Sequence, residues 1–172
     1  HIAKGDLESA GKKCAELIQK APDVLEYQIK SAQILFYQGE FDQTDAKLHE
    51  IVDQLPMDNY SVNDILDVMA VLIGFRHNQE EFVDFAKVQL NIQQNKRTEA
   101  LEKLETLFDT NEIYIADMCR YQHAWLTFLQ GDAELTKLQL SEIENETIFK
   151  ELAHIFQAEI LDFINKDISN AI

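Results

Sequence analysis

The chain has 172 residues, of which 46% are hydrophobic, five are glycine and two are proline, a composition that excludes disorder and favours helices over strands. Its formal charge of −16 is spread evenly: residues 1–86 carry 16 acids against 7 bases, and residues 87–172 carry 15 against 8. Nucleic acids and anionic bilayers are bound by clusters of Lys and Arg, so this charge argues against both as partners. No run of 18 apolar residues predicts a membrane helix. We expect an all-α protein whose partner is apolar or basic.

Apolar periodicity and capping residues predict nine helices along the chain. Their expected ranges are about 6–20, 24–38, 41–54, 61–76, 79–94, 97–109, 112–130, 132–143 and 147–165. Cys14 and Cys119 fall within two of these helices. Because free cysteine behaves as a small hydrophobe, we expect both to be buried structural thiols.

A repeat of about 34 residues organises the first helices. The turn sequence Gly5-Asp6-Leu7 returns as Gly39-Glu40-Phe41, and Pro22 returns as Pro56, each 34 residues later. Fainter copies place further turns near 95, 131 and 166, so the intervals between turns are 34, 56, 36 and 35 residues. The second interval exceeds 34 by 22 residues, which is room for one added helix, and the apolar stretch at about 61–76 is predicted to be that helix.

This pattern resembles the tetratricopeptide repeat (TPR), in which helix A, a tight turn and helix B recur every 34 residues. The family's small helix A residue corresponds to Ala32, Ala124 and Ala158, and its helix B alanine to Ala10, Ala100 and Ala171. Asn95 replaces the turn glycine in the third copy, and the last three copies lack the closing proline. The resemblance implies a single domain over 1–172, built as a right-handed superhelical solenoid of antiparallel helix pairs and forming a fragment of a longer protein. The degenerate repeats and the added helix are most similar to those of bacterial repeat proteins.

The resemblance also implies a groove lined by A helices, where members of the family bind other proteins. In the fourth copy the inward positions of this groove hold Tyr121, Trp125 and Phe128, which form an aromatic stripe at spacings of 4 and 3 residues. The second and third copies hold a mixture of apolar residues and amides. The residues that the resemblance assigns to partner binding are Tyr121, Trp125, Phe128, Ile29, Gln33, Phe36, Phe85 and Gln89. Aromatic residues at helical spacing are also typical of a helical core, so that alternative stays open.

The sequence offers no recognisable catalytic motif. It has no phosphate-binding Gly-rich loop and no nucleophile flanked by glycines, and its histidines do not show a zinc-binding spacing. Acidic pairs such as Asp64 with Asp67 are typical of solvated helix faces. We therefore expect no enzyme, no metal and no cofactor.

Two functions fit these features. The first is a protein-binding module that holds a peptide or helix of a partner in the groove. The second is a structural segment that stacks within its own larger protein or self-assembles, while an enzymatic role would belong to a domain outside this chain. The compartment stays open between cytoplasm and periplasm.

Overall fold

A computed structural model describes residues 2–56 and 59–170, with side chains described as far as residue 162 except that of residue 3. Within these ranges the chain forms a short 3₁₀ helix and nine α-helices and no strand, which confirms the prediction of an all-α protein. The 3₁₀ helix spans Ile2–Lys4. The α-helices are α1 (Leu7–Lys20), α2 (Leu25–Gln38), α3 (Phe41–Gln54), α4 (Ser61–Phe75), α5 (Gln79–Gln93), α6 (Arg97–Glu105), α7 (Ile113–Phe128), α8 (Ala133–Ser141) and α9 (Ile148–Asn170).

Left-handed backbone conformations separate several neighbouring helices. Among the described residues, positive φ angles occur at Gly5 (76°), Gly39 (76°), Asn95 (59°) and Gly131 (92°). These residues precede α1, α3, α6 and α8, where the repeat pattern starts its turns. A left-handed residue at a helix end lets the chain reverse while the last carbonyls of the helix stay hydrogen-bonded. At the end of α2, the amide of Gly39 donates to the carbonyl of Phe36 at 2.9 Å.

Side-chain caps begin three of the helices. The carboxylate of Asp6 accepts from the amide of Ser9 at 3.1 Å, and that of Asp132 accepts from the amide of Leu135 at 2.9 Å. The side chain of Asn78 begins α5 in the same way. Such caps satisfy amides that have no partner within the helix, so the short polar residues before α1, α5 and α8 fix where those helices start.

The structure corrects the prediction of a fifth turn near Lys166. Helix α9 continues through this residue to Asn170 instead of ending at 165. Residues 161–170 contain no glycine or proline, so no residue there ends the helix sterically.

Contacts divide the chain into two compact units, His1–Ala100 and Leu101–Ile172. In the first unit α1, α2 and α3 pack in sequence, and α5 packs against α2, α3 and α4. Its centre is a cluster of edge-to-face and tilted aromatic rings, with centroid distances of 5.2–6.2 Å. The cluster consists of Phe36, Phe41, Phe75, Phe82 and Phe85. The prediction of one repeat domain over 1–172 stays a prediction.

Helix α4, which occupies the added segment, packs one side into the first unit. Its buried apolar residues are Val62, Ile65, Leu72 and Phe75. Leu66 and Ile73 on the same helix are 44% and 61% exposed. The helix is therefore part of the core on one side and an uncovered apolar surface on the other.

The second unit is built around α7, which packs against both α8 and α9. Its buried cluster joins the three helices and consists of Ala124, Leu140, Ile143, Ala153, Phe156 and Ile160. The small side chains of Ala124 on α7 and Ala153 on α9 are at most 1% exposed, which is typical of helices that approach each other closely.

A buried carboxylate fixes the connection between α8 and α9. The side chain of Asp117 is fully buried on α7 and accepts hydrogen bonds from Asn145 Nδ2 at 2.9 Å and Thr147 Oγ1 at 2.8 Å. Arg120 lies 3.6 Å from the same carboxylate and also donates to the carbonyl of Phe108. A buried charge is tolerated only when it is paired and hydrogen-bonded, and here those partners hold two loops against α7.

Candidate partner-binding surface

The aromatic stripe predicted on α7 lies beside aromatic residues of α9. The ring centroid of Tyr121 is 5.9 Å from that of Phe149 and 6.1 Å from that of Phe156. Trp125 and Phe128 also contact Phe156, with centroid distances of 5.5 Å and 5.3 Å. The structure thus brings together the three residues of the stripe and adds two that the sequence analysis did not include.

These rings differ in how much of each is exposed. Tyr121 and Phe128 are half-buried and pack against the buried cluster of the second unit. Phe156 is 5% exposed, whereas Trp125 is 45% exposed. The flanking rings of the stripe therefore reach the core, while its tryptophan is open to solvent.

Helix α9 also exposes two aliphatic side chains. Ile148 and Ile155 are 57% and 56% exposed, although they are large and apolar. We call Tyr121, Trp125, Phe128, Phe149 and Phe156 the aromatic face.

The aromatic face lies in an acidic environment. The second unit contains 14 acids and 5 bases, a formal charge of −9. Lys137 forms an ion pair with Glu134, and Lys150 forms one with Glu146, so neither lysine offsets the negative charge with a free ammonium group. Burial, and to a lesser extent the Glu159 carboxylate, raises the pKa of Tyr121, so this phenol is neutral at physiological pH. A partner with positive charge around an apolar anchor would match this potential.

The residues predicted for the groove in the first unit do not share one surface. Phe36 and Phe85 are 9% and 2% exposed and belong to its aromatic core, which corrects their expected place in an open groove. The physical reason is packing: the ring of Phe82 on α5 lies 5.3 Å from that of Phe36, and the ring of Phe75 on the added helix α4 lies 5.2 Å from that of Phe85. A partner cannot reach these side chains.

The remaining predicted residues of the first unit are Ile29, Gln33 and Gln89, and all three are half-buried. Gln33 belongs to a hydrogen-bonded chain: Lys30 Nζ donates to its Oε1 at 2.6 Å, and its Nε2 donates to Tyr37 Oη at 3.0 Å. Its amide is therefore held in one orientation by residues of its own helix.

Sequence reasoning missed the α9 half of the aromatic face. One signal was available: Phe149 and Phe156 are seven residues apart and so lie on the same side of a helix. They did not stand out because the resemblance supplied inward positions only for the second to fourth copies.

Groups with chemical reactivity are dispersed in the part of the chain that the structure describes. There, no three His, Cys, Asp or Glu side chains are placed to share a metal ion. His123 is 3.3 Å from Glu105 and packs against the ring of Phe108, so it takes part in packing within the second unit. Cys14 and Cys119 are both buried free thiols, as predicted, and burial raises the pKa of Cys14.

None of the helices in the described ranges is long and apolar enough to cross a bilayer. The repeat pattern has no independent support from relatives, because no family model matches the chain and neither does any curated protein or solved structure.

Proposed function

We propose that this chain is a non-enzymatic protein–protein interaction scaffold of the TPR type, which binds a peptide or helix of a partner on the aromatic face. The proposed architecture is a right-handed solenoid in which α2, α5, α7 and α9 serve as A helices and α1, α3, α6 and α8 as B helices, with α4 as the added helix. The left-handed residues that precede those four B helices support this alternation. The TPR resemblance itself depends on the repeat spacing in the sequence.

The observation that carries the proposal is the exposure of Trp125 on a fixed aromatic base. Its indole is 45% exposed, although it lies within contact of Phe128 and Phe156. Tryptophan and tyrosine are enriched among the residues that dominate binding energy at protein interfaces, since they present a large area with little side-chain entropy to lose. A ring that is held in place yet open to solvent is suited to anchor a partner.

The test is affinity capture from source cells by the full chain, with quantitative mass spectrometry of what is retained. Trp125→Ala is compared with Leu138→Ala, which removes another exposed apolar side chain, 65% exposed, from α8. We expect Trp125→Ala to lose a partner that the wild type and Leu138→Ala retain, while both variants remain folded at the temperature of the capture. Equal retention by both variants would refute the aromatic face as the binding surface.

A structural role is the second candidate, and the outer side of α4 favours it. Leu66 and Ile73 lie two helical turns apart on this helix and are both exposed, while Met69 between them is half-buried. A helix that is apolar on both sides is typical of a position between two layers, so a second copy or another part of a larger protein would cover it. Light scattering distinguishes the candidates: Ile73→Asp should dissociate any oligomer that forms through α4, whereas a scaffold that binds through the aromatic face is monomeric before and after this change.

A further inference from the structure

A cleft in the first unit is separate from the aromatic face and has a different character. It has a volume of about 390 Å³ and runs between α1 and α2, with Ile2 and Gln93 at one end. Its floor is apolar and consists of Ala10, Cys14 and Ile34, which are each at most 7% exposed. This volume lies within the range of roughly 300–1,000 Å³ that is typical of sites for small ligands.

Internal hydrogen bonds fix the walls of this cleft. Cys14 Sγ donates to the carbonyl of Tyr27 at 3.2 Å, which joins α1 to the first turn of α2. Next to the lining residues Ile2 and Gln93, Gln94 Nε2 donates to the carbonyl of Ile2 at 3.3 Å and so fastens the 3₁₀ helix to the end of α5. The cleft is therefore a formed feature of the first unit.

Two lysines stand at the rim of the cleft, in a chain whose formal charge is −16. Lys13 forms an ion pair with Glu16, whose carboxylate is 3.1 Å from its ammonium group. Lys30 donates only to the neutral amide of Gln33, and no carboxylate of the described residues lies within ion-pair distance of it. Of the two lysines that line the cleft, Lys30 is thus the more available to a ligand.

We infer that this cleft binds a short acidic peptide segment of a protein, with an aliphatic side chain on the floor and a neighbouring Asp or Glu carboxylate on Lys30. Burial of an aliphatic group on the apolar floor favours binding. The ammonium group of Lys30 attracts a carboxylate, so it determines both the charge that the ligand must carry and where that charge lies. Gln33, held by Lys30 and Tyr37, offers its amide beside the same ammonium. Charge complementarity commits the cleft to an acidic occupant, whereas the aromatic face suits a basic one.

The test measures fluorescence anisotropy of labelled peptides with the full chain at about 150 mM salt, where exposed charges farther apart than about 8 Å are largely screened. The first probe alternates Leu and Glu. In the second Gln replaces Glu, and in the third Ser replaces Leu. We expect the Leu-Glu probe to bind at least about tenfold more tightly than either of the others, because each of them lacks one of the two contacts.

Matched variants place the binding at the cleft. Lys30→Gln should weaken the Leu-Glu probe about fivefold, while Lys30→Arg keeps most of the affinity because the positive charge remains. The control is Lys12→Gln, which makes the same charge change one residue from Lys13 at a side chain that is 72% exposed and paired with Glu8. An equal effect of Lys30→Gln and Lys12→Gln would overturn the inference, and so would equal binding of the Leu-Gln probe or no binding of the Leu-Glu probe.

Discussion

The indole ring of Trp125 lies against the phenyl ring of Phe156, with 5.5 Å between the ring centroids. Phe156 is 5% exposed and belongs to the buried cluster of the second unit, whereas Trp125 is 45% exposed. The pair therefore joins the core of this unit to its surface, and the two residues can be changed separately to distinguish folding from binding.

The first prediction compares the stability of two alanine variants. Phe156→Ala should lower the free energy of unfolding by about 3–5 kcal/mol, because it leaves a ring-sized cavity among α7, α8 and α9. Trp125→Ala should cost less than about 2 kcal/mol, since nearly half of the indole is already in water. Urea denaturation followed by far-ultraviolet circular dichroism measures both. Equal losses in the two variants would mean that Trp125 is a core residue.

The second prediction uses the fluorescence of Trp125, which is the single tryptophan of the chain. Its emission should be red-shifted relative to that of a fully buried indole, because water reaches part of the ring. Acrylamide is the appropriate quencher, since a chain with a formal charge of −16 repels iodide. We expect quenching between that of the urea-unfolded chain and that of a buried tryptophan. Blue emission that resists acrylamide would contradict the exposed position.

The third prediction concerns the buried carboxylate of Asp117. Asp117→Ala should destabilise the chain by about 3 kcal/mol or more, because it leaves Arg120, Asn145 and Thr147 without their common acceptor. Glu134→Ala removes an exposed carboxylate from its pair with Lys137 and should change stability by no more than about 0.5 kcal/mol. Denaturation of both variants by urea tests the difference, and a loss for Asp117→Ala as small as that of Glu134→Ala would show that the buried network is not required.

The fourth prediction compares two glycines with left-handed backbones. Gly131→Ala should cost about 1 kcal/mol, since φ is 92° and an added Cβ meets no atom within 4 Å. Gly39 has a similar φ of 76°, but the Cβ that Gly39→Ala adds would lie 3.1 Å from a side-chain methyl of Val83 on α5. We expect Gly39→Ala to be the more destabilising of the two in thermal unfolding. If Gly131→Ala were the more destabilising variant, the side chain of Val83 would move aside without a loss of free energy.

The helices could be predicted closely from the sequence, because their signals are local. Their predicted ends agree with the structure within two residues, apart from the ends of α6 and α9. Glycine turns and apolar periodicity act over one or two helical turns, so one sequence reveals them. Helix α6 ends at Glu105 rather than 109, although Leu107 beyond its end is still buried, so apolar periodicity alone did not mark the end of this helix.

The candidate site could be predicted only in part, because exposure depends on distant segments. The stripe of Tyr121, Trp125 and Phe128 follows from helical spacing within α7. The sequence did not reveal which of these rings α9 covers, since Phe149 and Phe156 come 21 or more residues after Phe128. Phe36 and Phe85 were placed in a groove for the same reason: the rings that bury them belong partly to the added helix, which has no counterpart in the repeat.

The most direct test of the aromatic face introduces a photo-cross-linking phenylalanine at position 125 or, as the control, at position 138 of the full chain. Both positions carry exposed apolar side chains in the wild type, so each variant should fold. After irradiation in source cells, position 125 should give a discrete cross-linked product that position 138 does not give. The same products from both positions, or none from position 125, would contradict the claim that Trp125 anchors a protein partner.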